Sequence, residues 1–379
     1  MRRMVRHAWE RVPYYGRLMR AARVRPEDIG GAADLYKIPV TRKQDLQGLP
    51  VEDLLARGVD RQACHEVTTA GSTGEPLTVL RTRREQYQLF AVRLRAQAMA
   101  GMRPWHTRVK LGSPPTPTLL HKLGLYRVSN LHLGMAPEEI IRRLRAKRPD
   151  VLIGIPTMLE MIVAAASEDD LRAIRPRLLF CGAEVLSPAA RMRIEKAFGR
   201  RVVEFYGSNE FNLMAWQCLQ CGHFHTCDDA VALETVEGEV IVTGLRSMAM
   251  PLIRYDMGDV VRRPAQERRC GIGFGTIAGI EGRRIDFLRV PGGGHLNSFN
   301  VIVALSGLRI RRFQVVQETP ERVVVLFVPA GGGVADSARE VEAVCRKVLP
   351  ESIGVEARAV SELAVTAAGK ARLVRVGAA

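Results

Sequence analysis

Short apolar runs alternate with amphipathic stretches through the first 285 residues. The runs "RVKLGS", "DVLIGIP", "RLLFCGA" and "RVVEFYG" have the length and β-branched content of buried strands. Segments between them, such as 137–148 and 187–198, carry apolar positions at helical spacing. Strand and helix in this succession predict an α/β fold, a mainly parallel sheet covered by helices. The strand ends run straight into "GIPT", "CGAE" and "YGSNE". Ligands bind beyond the carboxyl ends of parallel strands, so a site should assemble at these turns.

After "EGRRIDFLRVPGGG" the rhythm stops and charge and glycine accumulate. Beyond it, "RIRRFQVVQ" and "RVVVLFVP" read as two strands joined by "ETPE". A helix over about 337–349 and a further strand, "IGVEARAV", follow. In that helix Val341, Val344, Cys345, Val348 and Leu349 form one apolar stripe. The pattern divides the chain into a large domain over 1–284 and a small α+β domain over 285–379.

With 379 residues there is ample chain for a large core and two domains. The longest apolar stretch, "VLIGIPTMLEMIVAAA", contains Pro156 and Glu160 and is too short to span a bilayer, so no membrane association is expected. The opening "MRRMVRHAWERVPYY" lacks the apolar segment of a secretory signal, which makes the cytoplasm the expected compartment. Seven unevenly spread cysteines do not form a secreted disulfide framework. A balance of 56 basic to 40 acidic residues, net +16, favours anionic partners: nucleotides, coenzyme A or nucleic acid. The arginines are scattered instead of forming a stripe and aromatics are only 6%, which argues against nucleic acid.

Two stretches carry candidate chemistry. "TTAGSTGEPL" supplies hydroxyls and glycines, the donors and close backbone approach that a phosphate cradle needs. It is not a Walker loop, because Pro76 follows where the lysine motif would continue. Read alone it is equally a solvated loop. "CLQCGHFHTC" holds a Cys-x2-Cys pair, two histidines and a third cysteine, with Cys270 later in a second Cys-Gly turn. That donor set suits a structural Zn2+ in an insert over 218–270. The preferred ligands are Cys218, Cys221, His225 and Cys270, with Cys227 or His223 as substitutes. Reduced thiols and surface histidines are the alternative.

Taken together, the turns resemble the adenylate-forming superfamily of acyl-CoA synthetases, in its phenylacetate-CoA ligase-like branch. "TAGSTGEP" is similar to the family's phosphate loop, "CGAEVLSP" to its adenine-side turn and "FYGSNE" to its aromatic-Gly-x-Thr-Glu motif. "RYDMGD" resembles the ribose-binding segment, "EGRRID" the hinge and "TAAGK" the C-terminal lysine motif. The opening "HAWERVPYYGRLM" and "LYKIPVTRKQDL" are similar to the start of phenylacetate-CoA ligases.

The resemblance implies ATP- and Mg2+-dependent activation of a carboxylic acid to an acyl-adenylate, then transfer to coenzyme A. Transfer to a carrier-protein thiol or an amine is the alternative within the family. A nucleotide- or nucleic-acid-binding protein without ligase turnover is the alternative outside it. Thr69, Gly71, Ser72, Thr73 and Gly74 would hold phosphates, and Glu210 would coordinate Mg2+. Tyr206, Gly207 and Ser208 would lie at the nucleotide, and Gly182, Ala183 and Glu184 along the adenine edge. Asp259 would accept from the ribose hydroxyls, and Arg283 would support the ribose or phosphate side. Lys370, on the small mobile domain, would bridge the carboxylate and the α-phosphate; with Glu210 and Thr73 it makes the catalytic set. The family's hinge position falls on Ile285, with Asp286 next, a departure from the usual aspartate or lysine. Phe211, Met214 and Trp216 imply an aryl or other apolar acid. A homodimer is among the assemblies expected.

Overall fold

The computed structural model describes residues 1–68, 77–112, 120, 123–132, 135–264, 266, 270–283, 287–292, 295–296, 298–306, 308–330, 333–363 and 373–377. The chain forms two compact units, one of Met1–Arg103 with Val203–Ile280, the other of Pro104–Val202 with Glu281–Ala379.

In the first unit, the helices Arg2–Arg11 and Pro13–Ala21 bury Met4, Val5, Ala8, Tyr15 and Met19 on their apolar faces. The strands Cys64–Thr68 and Thr78–Thr82 pair antiparallel, with Thr68 opposite Thr78, so they flank the polar loop on both sides. The helix Arg83–Met99 follows at once, because Thr82 and Glu85 form a capping box: each accepts from the other's backbone N–H. The other oxygen of the buried Glu85 accepts from the N–H groups of Met248 and Ala249, tying the helix start to that loop.

Among the described residues the predicted alternation of strand and helix holds from Val128 to Ser208. From Asn212 onward the strands are antiparallel: Asn212–Gln217 pairs with Val202–Ser208 and with Phe224–Thr226, and the latter with Thr276–Ile277. Val231–Val236, Glu239–Gly244 and Tyr255–Arg262 form a second antiparallel array. Short turns such as Glu237–Gly238, both at positive φ, leave no room for crossover helices.

In the second unit, Val128–Leu131, Arg108–Leu111, Val151–Gly154 and Leu178–Gly182 pair in parallel. The helices Pro137–Lys147, Pro156–Ala165 and Pro188–Phe198 contribute Ile140, Leu144, Leu159, Ile162 and Ile194 to its core. All three carry proline at the first helical turn, where a missing N–H costs nothing.

The C-terminal segment builds its own core from Leu288 to Val374. Ile310–Thr319 and Arg322–Pro329 form the expected hairpin, Gly354–Ala359 adds in parallel to the second strand, and Val374–Val376 adds in parallel to the first. The helix runs Val334–Arg346, slightly earlier than the stripe alone suggested, and buries Val341 and Cys345. Among the described residues no helix is long and apolar enough to cross a membrane.

Candidate active site

In the first unit, Tyr206 and Asp259, 53 residues apart in sequence, meet: the phenol donates to Asp259 Oδ2 at 2.7 Å. Tyr206 sits near the end of Val202–Ser208 and Asp259 lies in Tyr255–Arg262. The motif "RYDMGD" has two carboxylates, and the backbone separates their roles. Asp256 Oδ1 folds back to accept from the N–H of Gly258, which has φ +65°. Asp259 is the carboxylate turned to Tyr206. The arginine of the same motif, Arg254, is structural: its guanidinium donates to the carbonyls of Tyr36 and Ile38 and pairs with Glu234.

After Tyr206 the pairing with Asn212–Gln217 shifts register, and the chain turns through Ser208, Asn209 and Glu210. Gly207 is obligatory there, because a Cβ would lie 2.1 Å from the carbonyl oxygen of Asn212. Ser208 Oγ accepts from the N–H of Phe211 at 3.2 Å, closing the turn. Asn209 Nδ2 donates to the carbonyl of Thr68 at 2.8 Å, fixing the turn to the last described residue before the polar loop. Glu210 is half-buried, and its carboxylate makes no hydrogen bond among the described residues. Two arginines that sequence reasoning passed over, Arg81 and Arg93, also hold this turn. Nothing in their sequence setting marks them: one stands in a strand and the other in a helix, like many arginines of this chain.

Phe211, Met214 and Trp216 are buried in the core of the unit. Trp216 packs against the rings of His225 and Phe274.

The candidate metal ligands converge. One ligand atom from each of Cys218, Cys221, His225 and Cys270 lies within 4.8 Å of the others. His225 Nε2 is 3.1 Å from Cys270 Sγ and 3.8 Å from Cys221 Sγ. The first pair is set by a tight knuckle: Cys218 N–H donates to His223 O and Gly222 N–H, at φ +78°, to Cys218 O. The two substitute ligands stand outside this group. Cys227 is fully buried in the apolar core, which pushes its thiol up to about 12. His223 does not join the cluster.

In the second unit, Gly182 ends the strand Leu178–Gly182 and Ala183 follows in the left-handed region at φ +69°. That conformation is strained for a residue with a Cβ, and it leads into Glu184. One carboxylate oxygen, Oε2, accepts from both the N–H and the hydroxyl of Thr157, at 3.1 and 2.5 Å. This places the charge at the N-terminus of Pro156–Ala165, where the helix dipole favours it. The turns "GIPT" and "CGAE" are thereby joined. The other oxygen, Oε1, is buried without a partner among the described residues. Arg283 closes the strand Gly279–Arg283. Thr69, Gly71, Ser72, Thr73, Gly74, Ile285, Asp286 and Lys370 lie outside the described residues.

Residues 67–236 match the family model described as AMP-binding enzyme. A phenylacetate-coenzyme A ligase of Thermus thermophilus is 29% identical over 320 residues, 77% of this chain and 70% of that one. The phenylacetate-coenzyme A ligase of Escherichia coli is 27% identical over 68% of this chain and 64% of its own length. Among solved structures, a 2-hydroxyisobutyryl-CoA ligase superposes with a TM-score of 0.83 at 20% identity, covering 99% of this chain and 88% of that one. An anthranilate CoA ligase superposes with a TM-score of 0.63 at 16% identity. The structural matches establish the α/β fold of adenylate-forming enzymes.

Proposed function

The chain belongs to the adenylate-forming superfamily, in its phenylacetate-CoA ligase-like branch, and from that premise we propose roles for its residues in AMP-forming activation of an apolar carboxylic acid. The acid's carboxylate attacks the α-phosphorus of ATP, the bond to the bridging oxygen breaks, and pyrophosphate leaves. The coenzyme A thiol then takes the acyl group and AMP departs. An anion attacking a polyanion needs positioning and charge neutralisation above all.

The observation that carries this reading is the hydrogen bond from Tyr206 to Asp259. It draws an aromatic ring and an acceptor-only carboxylate together from two distant motifs, as adenine and ribose recognition would require. Asp259 would accept from the ribose hydroxyls and Tyr206 would lie against the base. The unpartnered Glu184 Oε1 would accept from the adenine amine. Gly182, Ala183, Gly207, Ser208 and Arg283 complete the proposed nucleotide contacts. Thr69, Gly71, Ser72, Thr73 and Gly74 would cradle the phosphates, and Lys370 would stabilise charge at the α-phosphate. A small domain over 285–379, moving at Ile285 or Asp286, would bring that lysine in.

Two ions fit the donors present. The carboxylate of Glu210, without a hydrogen bond among the described residues, suits Mg2+, which would neutralise charge on the phosphates. The three sulfurs and one nitrogen of Cys218, Cys221, His225 and Cys270, all within 4.8 Å of one another, would suit Zn2+. The proposed Zn2+ is structural.

The test is ATP–pyrophosphate exchange across a panel of aryl and aliphatic acids, followed by acyl-CoA formation. Exchange with at least one aryl or other apolar acid is expected. No exchange with any acid would remove the ligase reading.

A further inference from the structure

The turn Ser208–Asn212 is gripped by two guanidinium groups. Arg81 is 2% exposed, and its Nη2 donates to the carbonyl oxygens of both Asn209 and Glu210 at 2.5 Å. Arg93 donates through Nε and Nη2 to Asn212 Oδ1, at 3.0 and 2.6 Å. Asn212 itself, the closing residue of the turn opposite Ser208, stands in the left-handed region at φ +63°. Both arginines follow the polar loop closely in sequence. Arg81 lies in Thr78–Thr82, the strand leaving that loop, and Arg93 in the helix Arg83–Met99 after it. Asn209 closes the circuit by donating to Thr68, on the strand that enters the loop.

Burying a guanidinium is unfavourable, and its mark is visible. Desolvation pulls Arg81 down to about 10 and lowers Arg93 as well. Leucine or methionine would fill a core position without that penalty, so the expense needs a return. Carbonyls at the tip of a turn ordinarily face water. Here two of them are held by one cation, which fixes the backbone of the residue whose carboxylate is the candidate Mg2+ ligand.

We propose that Arg81 and Arg93 are positioning residues for the metal–triphosphate complex. They lock the Glu210 turn to the strand and the helix that follow the phosphate loop, so that turn, strand and helix move as one piece. The proposal rests on the adenylate-forming reading. Neither arginine need touch the nucleotide; each acts through the turn.

Arg81→Lys, Arg81→Met and Arg93→Lys test it in the full-length protein, with thermal midpoints recorded for each. Lysine keeps the charge of either arginine. It is shorter than Arg81, and it has no fork to match the two-nitrogen grip of Arg93 on one oxygen. A loosened turn should raise the KM for MgATP by about tenfold and lower kcat in pyrophosphate exchange, while the KM for the acid stays within about twofold. A merely structural role would reduce the folded fraction, lowering kcat while both KM values stay at wild type. That pattern, or wild-type kinetics in all three variants, overturns the proposal. Calorimetric titration with MgATP alone separates this idea from the ligase reading. If wild type binds MgATP but exchanges with no acid, the ligase reading fails and a weakened affinity of Arg93→Lys still upholds the clamp. If wild type does not bind MgATP, both fail.

Discussion

At the scale of single residues, a few atoms decide which members of each motif are available for chemistry. "RYDMGD" offers two aspartates and an arginine; backbone turns and a buried ion pair take Asp256 and Arg254, and Asp259 is left facing Tyr206. Gly207 has the sharpest requirement. Gly207→Ala sets a methyl group against the Asn212 carbonyl at 2.1 Å, and backbone cannot swing aside as a side chain can. We expect it to destabilise the protein by about 3 kcal/mol, read as a lowered denaturation midpoint. An alanine variant as stable as wild type would show that the turn is not held as described. The motif residues were legible in the sequence because spacing preserves them. Arg81 and Arg93 were not, because their partners are main-chain carbonyls and a side-chain amide over a hundred positions away.

At the scale of elements, local pattern and long-range pairing divide the information. Apolar periodicity located the parallel strands and the C-terminal helix stripe, since a helix or strand buries one face whatever its neighbours. It did not announce that the strands after Asn212 turn antiparallel. The metal group was chosen by residue type and the Cys-x2-Cys spacing; its convergence rests on pairing, since Cys270 lies 45 residues from His225 and reaches it through the pairing of Thr276–Ile277 with Phe224–Thr226. Purified protein should contain about one zinc per chain, and Cys221→Ser or Cys270→Ser should lose it and lower the thermal midpoint. Cys227→Ser should keep the metal, because that thiol faces the apolar core. Metal analysis without stoichiometric zinc would remove the site.

At the scale of the whole molecule, charge sets the response to acid. Asp170 is held down to about 2 by the Ser167 hydroxyl and by Arg145, and Glu356 to about 2 by Arg358 and Arg322. A carboxyl whose folded pKa is depressed contributes stability above its unfolded value, and that contribution is lost as pH falls through the folded one. Burial raises Glu234 against this trend, with Arg254 opposing. The thermal midpoint should therefore fall between about pH 5 and about pH 2, and less steeply in high salt, because exposed pairs are screened. A midpoint that is flat or rises over that range would contradict the balance drawn here. The sequence by itself determined the α/β class, the order of motifs and the kinds of donor atoms, because these depend on composition and on periodicity along the chain. Only the tertiary structure decided that Tyr206 meets Asp259, that the four preferred metal ligands converge, and that the buried Arg81 and the half-buried Arg93 hold the Glu210 turn. Such contacts depend on strand register, and a shift of one residue in pairing turns every side chain to the opposite face.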